Sequence, residues 1–313
     1  MGGNSLLLRL KHAIEGDERL HMNSQIDLKD IHEKLRSVAL SAMVIHGLAT
    51  EDERGGYDSE EDSGRVRSGS SMAGLKLPEF PLSEIERVCE LLVLFPHAPA
   101  RYILDVMYPV ATLPLFDRDM KYTVMSVYDR FGAQLPKQVA KDSADHEDVT
   151  KDGGYEEPFC PSAYRITNVS LLNNDIDSQM KQANITFAPV FSGSVSATVA
   201  CFGGLIHDRM EEKNPFVHTR YHDEVLCQMA QLHSAGLDMC LMGDKGVGKS
   251  MLTRTFARML GYRLISIPLY KDMTAKSLLM KRATTLSGDT IWQFSALTRA
   301  AVQGSIFILY LDN

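Results

Sequence analysis

Eight consecutive residues carry the chemistry most easily read from this chain: Gly243, Asp244, Lys245, Gly246, Val247, Gly248, Lys249 and Ser250. They fit the pattern G-x-x-x-x-G-K-[ST] without mismatch, the spacing of a loop that cradles phosphates. Gly246 and Gly248 permit backbone conformations that a side chain would hinder. The amides from about Lys245 to Ser250 can then face phosphate oxygens, helped by the positive end of the helix that follows. Lys249 supplies a point charge for β- and γ-phosphates, and the Ser250 hydroxyl is a ligand for Mg²⁺. A second group lies at the C-terminal end. Ser305 to Leu311 is an apolar, β-branched and aromatic run, and Asp312 follows it. A carboxylate there suits a Walker B strand and would help hold Mg²⁺. Asn313 comes next; an amide can orient a water but cannot accept its proton, which argues against hydrolysis at this site.

These residues need a strand, a tight loop and a helix in that order. Leu237–Met242 is short and apolar, suited to a buried parallel strand. After Ser250, a stripe of Leu252, Phe256, Met259 and Leu260 predicts a helix, and Gly261 stops it. Leu264–Leu269 reads as the next strand. Lys271 and Asp272 mark a polar turn, Thr274–Arg282 a helix, and residues 284–294 a hairpin turning at Ser287-Gly288-Asp289. Ala296–Gln303 reads as a helix closed by Gly304, leading into the strand before Asp312. Trp292, the only tryptophan, is expected to pack within the hairpin.

Upstream the chain is mostly helical. Residues 5–48 carry Ile31, Leu35, Val38, Ala42 and Ile45 at alternating steps of four and three, hence on one helix face. The acidic, Gly- and Ser-containing stretch 51–77 lacks the apolar residues to offset ordering entropy and reads as a linker. Ser83 and Glu86 form an S-x-x-E capping pattern before a helix that Pro96 ends. Helices follow at about 98–108 and 118–131, the latter closed by Gly132. A charged linker over 133–163 leads to a β-rich connector over 164–213. The remainder, 214–313, holds the phosphate loop.

Composition narrows the class. The 313 residues include 44% hydrophobic and 23% charged, a globular balance, and the formal net charge is −7. An acidic chain is a poor partner for nucleic acid. Five scattered cysteines with no C-x-x-C pair argue against a disulfide framework or a zinc ribbon and favour a reducing compartment. No apolar run is long enough to span a membrane. His218 and His222, four residues apart in HTRYH, lack the Glu and the third ligand of a zinc site and are read as a surface or capping pair. His233 is read as a polar helix end. The basic stretch 270–282 is read as a solvated helix face, with a channel-lining or partner-facing role as the alternative. A small-molecule kinase is disfavoured by the long N-terminal region and the hairpin, and a GTPase by the lack of an N-K-x-D guanine motif.

With GDKGVGKS followed by LYKDMTAKSLLMKRATTLSGDTIWQFSALTRAAVQG, the chain resembles the AAA+ ATPases of the dynein-related and midasin branch. The resemblance implies an α/β P-loop NTPase (AAA+) partial domain with a parallel sheet, preceded by a small β-rich connector. Residues 78–132 are similar to the helical lid of a preceding AAA+ module. It further implies ATP and Mg²⁺ as cofactors, and hydrolysis coupled to conformational change in the intact protein. Other AAA+ modules or subunits, in a ring or tandem array, would be its partners, with a von Willebrand A domain in the same polypeptide. Mitochondrial location is implied by resemblance alone. The hairpin before Ser295 is similar to the helix-two insert of this branch. By the same resemblance the later strands, the sensor residues and the arginine finger fall beyond Asn313. The chain is therefore read as a fragment or a truncated gene model, expected to turn ATP over poorly by itself. The competing reading is a structural or regulatory module that binds nucleotide without turnover.

Overall fold

The computed structural model describes residues 28–54, 77–113, 115–135, 160–172, 181–190, 196–204, 217–269, 273–285, 287–302 and 306–311. They divide between two compact units, one within Met1–Tyr164 and Pro189–Ser192, the other within Arg165–Ala188 and Gly193–Asn313. No described helix is long and apolar enough to cross a membrane.

The first unit is helical. Helix α1 (Leu28–Arg54) buries the apolar stripe read from the sequence: Ile31, Leu35, Val38, Ala42 and Ile45 are all at most 4% exposed. The helix also runs past residue 50 into the stretch read as a linker, and the rest of that stretch to residue 76 lies outside the described residues. Helices α2 (Ile85–Leu94), α3 (Ala100–Met107) and α4 (Arg118–Arg130) pack with α1 around Leu91, Leu92, Tyr102, Leu104 and Val124. Gly132, at φ +82°, turns the chain after α4, a conformation glycine adopts without penalty. The capping pattern read at Ser83 and Glu86 involves the Glu86 side chain, which lies outside the described residues. Ser83 lies inside a 3₁₀ turn (Leu82–Glu84) that follows Pro81, whose fixed φ starts the turn.

A buried polar network crosses this core. Arg101 donates from Nε to Asp105 Oδ1 at 3.0 Å, and its guanidinium lies 4.9 Å from the centre of the Tyr128 ring. Asp105 Oδ2 accepts the Cys160 amide at 3.3 Å. Tyr128 donates to the Tyr108 carbonyl and Tyr108 to the Pro78 carbonyl. Burial holds both phenols above the ordinary tyrosine range.

Among the described residues the second unit combines three small sheets with helices. Strands β1 (Tyr164–Leu172), β2 (Lys181–Pro189) and β3 (Ala197–Gly203) form one sheet in that order, with β2 and β3 antiparallel and Lys181 opposite Gly203. Helix α5 (Arg220–Ser234) packs on β3 and on α6 (Lys249–Met259). Strand β4 (Leu264–Leu269) falls where the sequence places it. It pairs in parallel with β7 (Ile306–Leu311), Leu264 opposite Ile306 and Leu269 opposite Leu311.

Three local readings are corrected. Leu237–Met242 is not a strand: among the described residues it pairs with no other strand, and it is not buried, its residues alternating between half-buried and exposed with Met242 54% exposed. The helix expected over 274–282 is only α7 (Ala275–Leu279). Met280–Thr284 becomes strand β5, because antiparallel pairing with β6 (Thr290–Phe294) takes its backbone groups. Trp292 is not packed inside that hairpin but 46% exposed. Helix α8 (Ala296–Val302) follows, and Gly304 lies outside the described residues.

Candidate phosphate-binding loop

The approach to the loop is set by two helix ends. Thr219 caps α5, its hydroxyl oxygen accepting the His222 amide at 3.2 Å. Gly236, at φ +70°, closes the helix, and the Leu237 amide reaches back to the Leu232 carbonyl at 2.9 Å. The chain then runs without helix or strand to Gly243.

From Gly243 the backbone takes conformations that only glycine holds cheaply: φ is +153° at Gly243, +93° at Gly246 and +89° at Gly248. Gly248 is the residue before α6 and accepts the Leu252 amide at 2.9 Å, so the turn feeds directly into the helix. A side chain at Gly248 would also lie 3.5 Å from His222 Nε2. Asp244, Lys245, Gly246 and Val247 are exposed. The amides from Lys245 to Ser250 donate to no other protein group among the described residues. This is a row of open donors at the positive end of a helix.

Lys249 folds back over this row. Its Nζ donates to the carbonyls of Gly243 and Asp244, each at 2.6 Å. Among the described residues the ammonium is thus held over the loop by two neutral carbonyls and no carboxylate, an arrangement that an anion can displace. Ser250 is half-buried and its hydroxyl has no partner among the described residues. The donor set therefore suits a polyphosphate: open amides, one displaceable ammonium and a hydroxyl open to a hard cation among the described residues. The structure brings all eight loop residues together. Asp312 and Asn313 lie outside the described residues; β7 ends one position before Asp312.

Helix α6 is anchored by Leu252, Phe256, Ala257 and Leu260, all buried, and Gly261 closes it at φ +71°. Its C-terminal end meets the connector sheet. The Gly204 amide donates to the Leu260 carbonyl at 2.8 Å. His233 lies between the two: Nε2 is 3.0 Å from the Phe202 carbonyl and 3.2 Å from the Tyr262 hydroxyl, and the ring is edge-on to Phe256 and Tyr262. Burial lowers the His233 pKa, opposed by its bond to Phe202. Burial also raises the Cys201 thiol to about 11, which makes it unreactive near neutrality. The sequence reading took His233 for a plain helix end; its partner lies 31 positions away, and nothing in local spacing reveals that contact. His218 bonds through Nδ1 to Asp223 Oδ1 at 2.6 Å. Among the described residues no group of three or more His, Cys, Asp or Glu could hold a metal ion.

Residues 238–312 match the family model of the AAA domain, dynein-related subfamily. This segment has the α/β fold of P-loop NTPases, and the loop just described falls inside it. Over 241 residues the chain is also 29% identical to mouse von Willebrand factor A domain-containing protein 8, an alignment covering 75% of this chain and 11% of that protein. The chain spans only about a tenth of the length of that relative. No solved structure matches the chain. In the AAA segment the loop geometry and the family thus agree on a nucleotide-binding module.

Proposed function

We propose that the AAA segment binds ATP with Mg²⁺ through residues 243–250, and that in the intact protein ATP hydrolysis drives conformational change. The observation that carries this reading is Lys249 Nζ bonded to the carbonyls of Gly243 and Asp244 above a run of open amides. Displaced from those carbonyls, the ammonium would meet the β- and γ-phosphates while the amides of Lys245–Ser250 meet the remaining oxygens. Ser250 and Asp312 would hold Mg²⁺, which when bound neutralises phosphate charge. By analogy with the AAA domain family, the module works beside other AAA+ modules or subunits in a ring or tandem array. The name of the mouse relative adds a von Willebrand A domain in the same polypeptide. The small parallel pair β4–β7 is read as part of a larger parallel sheet and residues 78–132 as a lid-like region, and mitochondrial residence is proposed from resemblance alone.

A second reading is a nucleotide-binding regulatory module without turnover. Asn313 favours it, since no carboxylate follows Asp312 to take a proton from water. Titration with a fluorescent ATP analogue tests the primary claim. Lys249→Ala is expected to abolish binding, and undiminished binding would overturn the assignment of the loop. Phosphate release by the unmodified chain that exceeds the Lys249→Ala background would rule out the no-turnover reading.

A further inference from the structure

The hairpin of the second unit and the helix before it enclose a cleft of about 660 Å³. Three cations line it, Lys276, Lys281 and Arg282, with no carboxylate among the lining residues. None of the three makes an ion pair among the described residues. Two of them converge on one ring. Lys276 Nζ lies 4.4 Å from the centre of the Trp292 ring, and the Arg282 guanidinium 5.8 Å. The pairing register places Arg282 opposite Trp292 and Met280 opposite Phe294. All four therefore share one face of the hairpin. That face is not covered: Met280 is 37% exposed, Trp292 46% and Phe294 57%.

The face is also held in place. Ser295 donates its amide to the Leu279 carbonyl at 3.0 Å and its hydroxyl to the Leu278 carbonyl, and Thr298 bonds the Leu279 carbonyl at 2.7 Å. At the far end Thr285 and Asp289 close the turn through a 2.8 Å bond, with Gly288 at φ +87°. A fixed patch costs less ordering on binding than a mobile one.

Cations beside exposed aromatic and aliphatic side chains, with no acid paired to them among the described residues, suit a partner that brings both carboxylates and apolar groups. The geometry points to a docking site for an acidic polypeptide segment with interspersed aliphatic residues, its carboxylates on Lys276 and Arg282 and its apolar side chains on Met280, Trp292 and Phe294. Charge complementarity selects this occupant. A nucleic acid would use the ring and the cations but leave Met280 and Phe294 exposed. The net charge of −7 also gives no broad basic surface to track a phosphate backbone.

The site is independent of the phosphate loop, so the two readings can fail separately. The probe is a fluorescein-labelled peptide repeating Glu-Glu-Leu, followed by anisotropy against the full chain. An unlabelled copy is followed through the emission of Trp292, the only tryptophan. We expect saturable binding, a shift of Trp292 emission, and weakening with added salt. Lys276→Gln with Arg282→Gln should weaken binding about tenfold, as should Trp292→Ala. Lys276→Arg should retain it, and Lys249→Ala should leave it unchanged. Unfolding melts of each variant establish that the fold is intact. Equal binding of a Gln-Gln-Leu peptide, unchanged affinity in the double variant, no saturable binding, or tighter binding of oligouridine RNA would each overturn the proposal.

Discussion

Gly204→Ala tests whether the connector sheet and the phosphate-loop helix form one folded body. Gly204 follows β3 and its amide bonds the Leu260 carbonyl at 2.8 Å. A Cβ built on Gly204 runs into the carbonyl of Gly261 and lies 2.6 Å from Tyr262 Cα. Carbon atoms pack comfortably at about 3.5–4.0 Å, so roughly 1 Å of separation must be found. Both obstacles are backbone, and no rotamer change relieves them. Moving the sheet edge away by that much stretches the 2.8 Å bond beyond useful length, a loss of about 0.5–1.5 kcal/mol. The overpacking itself costs about 1–3 kcal/mol. The expected destabilisation is about 2–4 kcal/mol, or roughly 5–15 °C in the melting temperature of a unit this size. Gly203→Ala is the matched control. Its Cβ would meet Ala183 Cβ at 3.2 Å and the backbone of Gln182 and Ala183 at 3.3 Å, contacts relieved by a few tenths of an ångström, so the cost should be smaller, about 1 kcal/mol. Thermal and denaturant unfolding of the two variants give the comparison. If Gly204→Ala melts no lower than Gly203→Ala, the close approach of Gly204 to Gly261 is wrong, and with it the anchoring of the α6 end.

Two further outcomes follow from buried polar groups. His233 has a folded pKa below the ordinary 6.5, so below pH 6.5 the unfolded chain takes up a proton that the folded chain refuses. Stability should therefore fall as pH drops through 6.5 towards the folded value, and level off once both states are protonated. His97 in the first unit, whose pKa is lowered by burial and by nearby Lys34, has the same sign. Melting curves over that range should show a shallower slope in His233→Gln; an unchanged slope would remove His233 as a source. Asp105→Ala should cost the first unit about 3–5 kcal/mol, since it removes the Asp105 carboxylate from the buried Arg101 charge. Replacing both, as Arg101→Met with Asp105→Leu, should cost less than the single change. Urea unfolding decides, and a double variant weaker than the single one would contradict that account.

What the sequence disclosed was whatever depends on neighbours in the chain. The stripe from Ile31 to Ile45 is a matter of helical period, and all five residues are buried. The loop needs glycine at positions fixed by local geometry, and Gly243, Gly246 and Gly248 all carry positive φ. Gly132 and Gly261 end their helices for the same reason. Strand β4 matched its apolar run residue for residue. The failures share one cause as well. Lys276 to Arg282 has helical spacing, yet Met280–Thr284 follows its cross-strand partner instead of its own propensity. Leu237–Met242 has strand composition but no ladder among the described residues.

The same distinction governs the functional groups. That Lys249 would serve a phosphate follows from its place after Gly248, because loop and side chain belong to one turn. That its ammonium bonds the carbonyls of Gly243 and Asp244 required coordinates, since the sequence does not say where a lysine side chain turns. The hairpin is the sharper case. Arg282 and Trp292 are ten positions apart, and Lys276 precedes both on another element. Only the register of β5 against β6 puts Arg282 opposite Trp292, and only the short α7 sets Lys276 over the same ring. As a continuous helix through Arg282, the segment would have presented the three cations to solvent on different faces. Because the helix stops at Leu279, they converge on one cleft instead. The change from helix to strand at Met280 therefore turns a scattered basic stretch into a patch with a definite chemical preference.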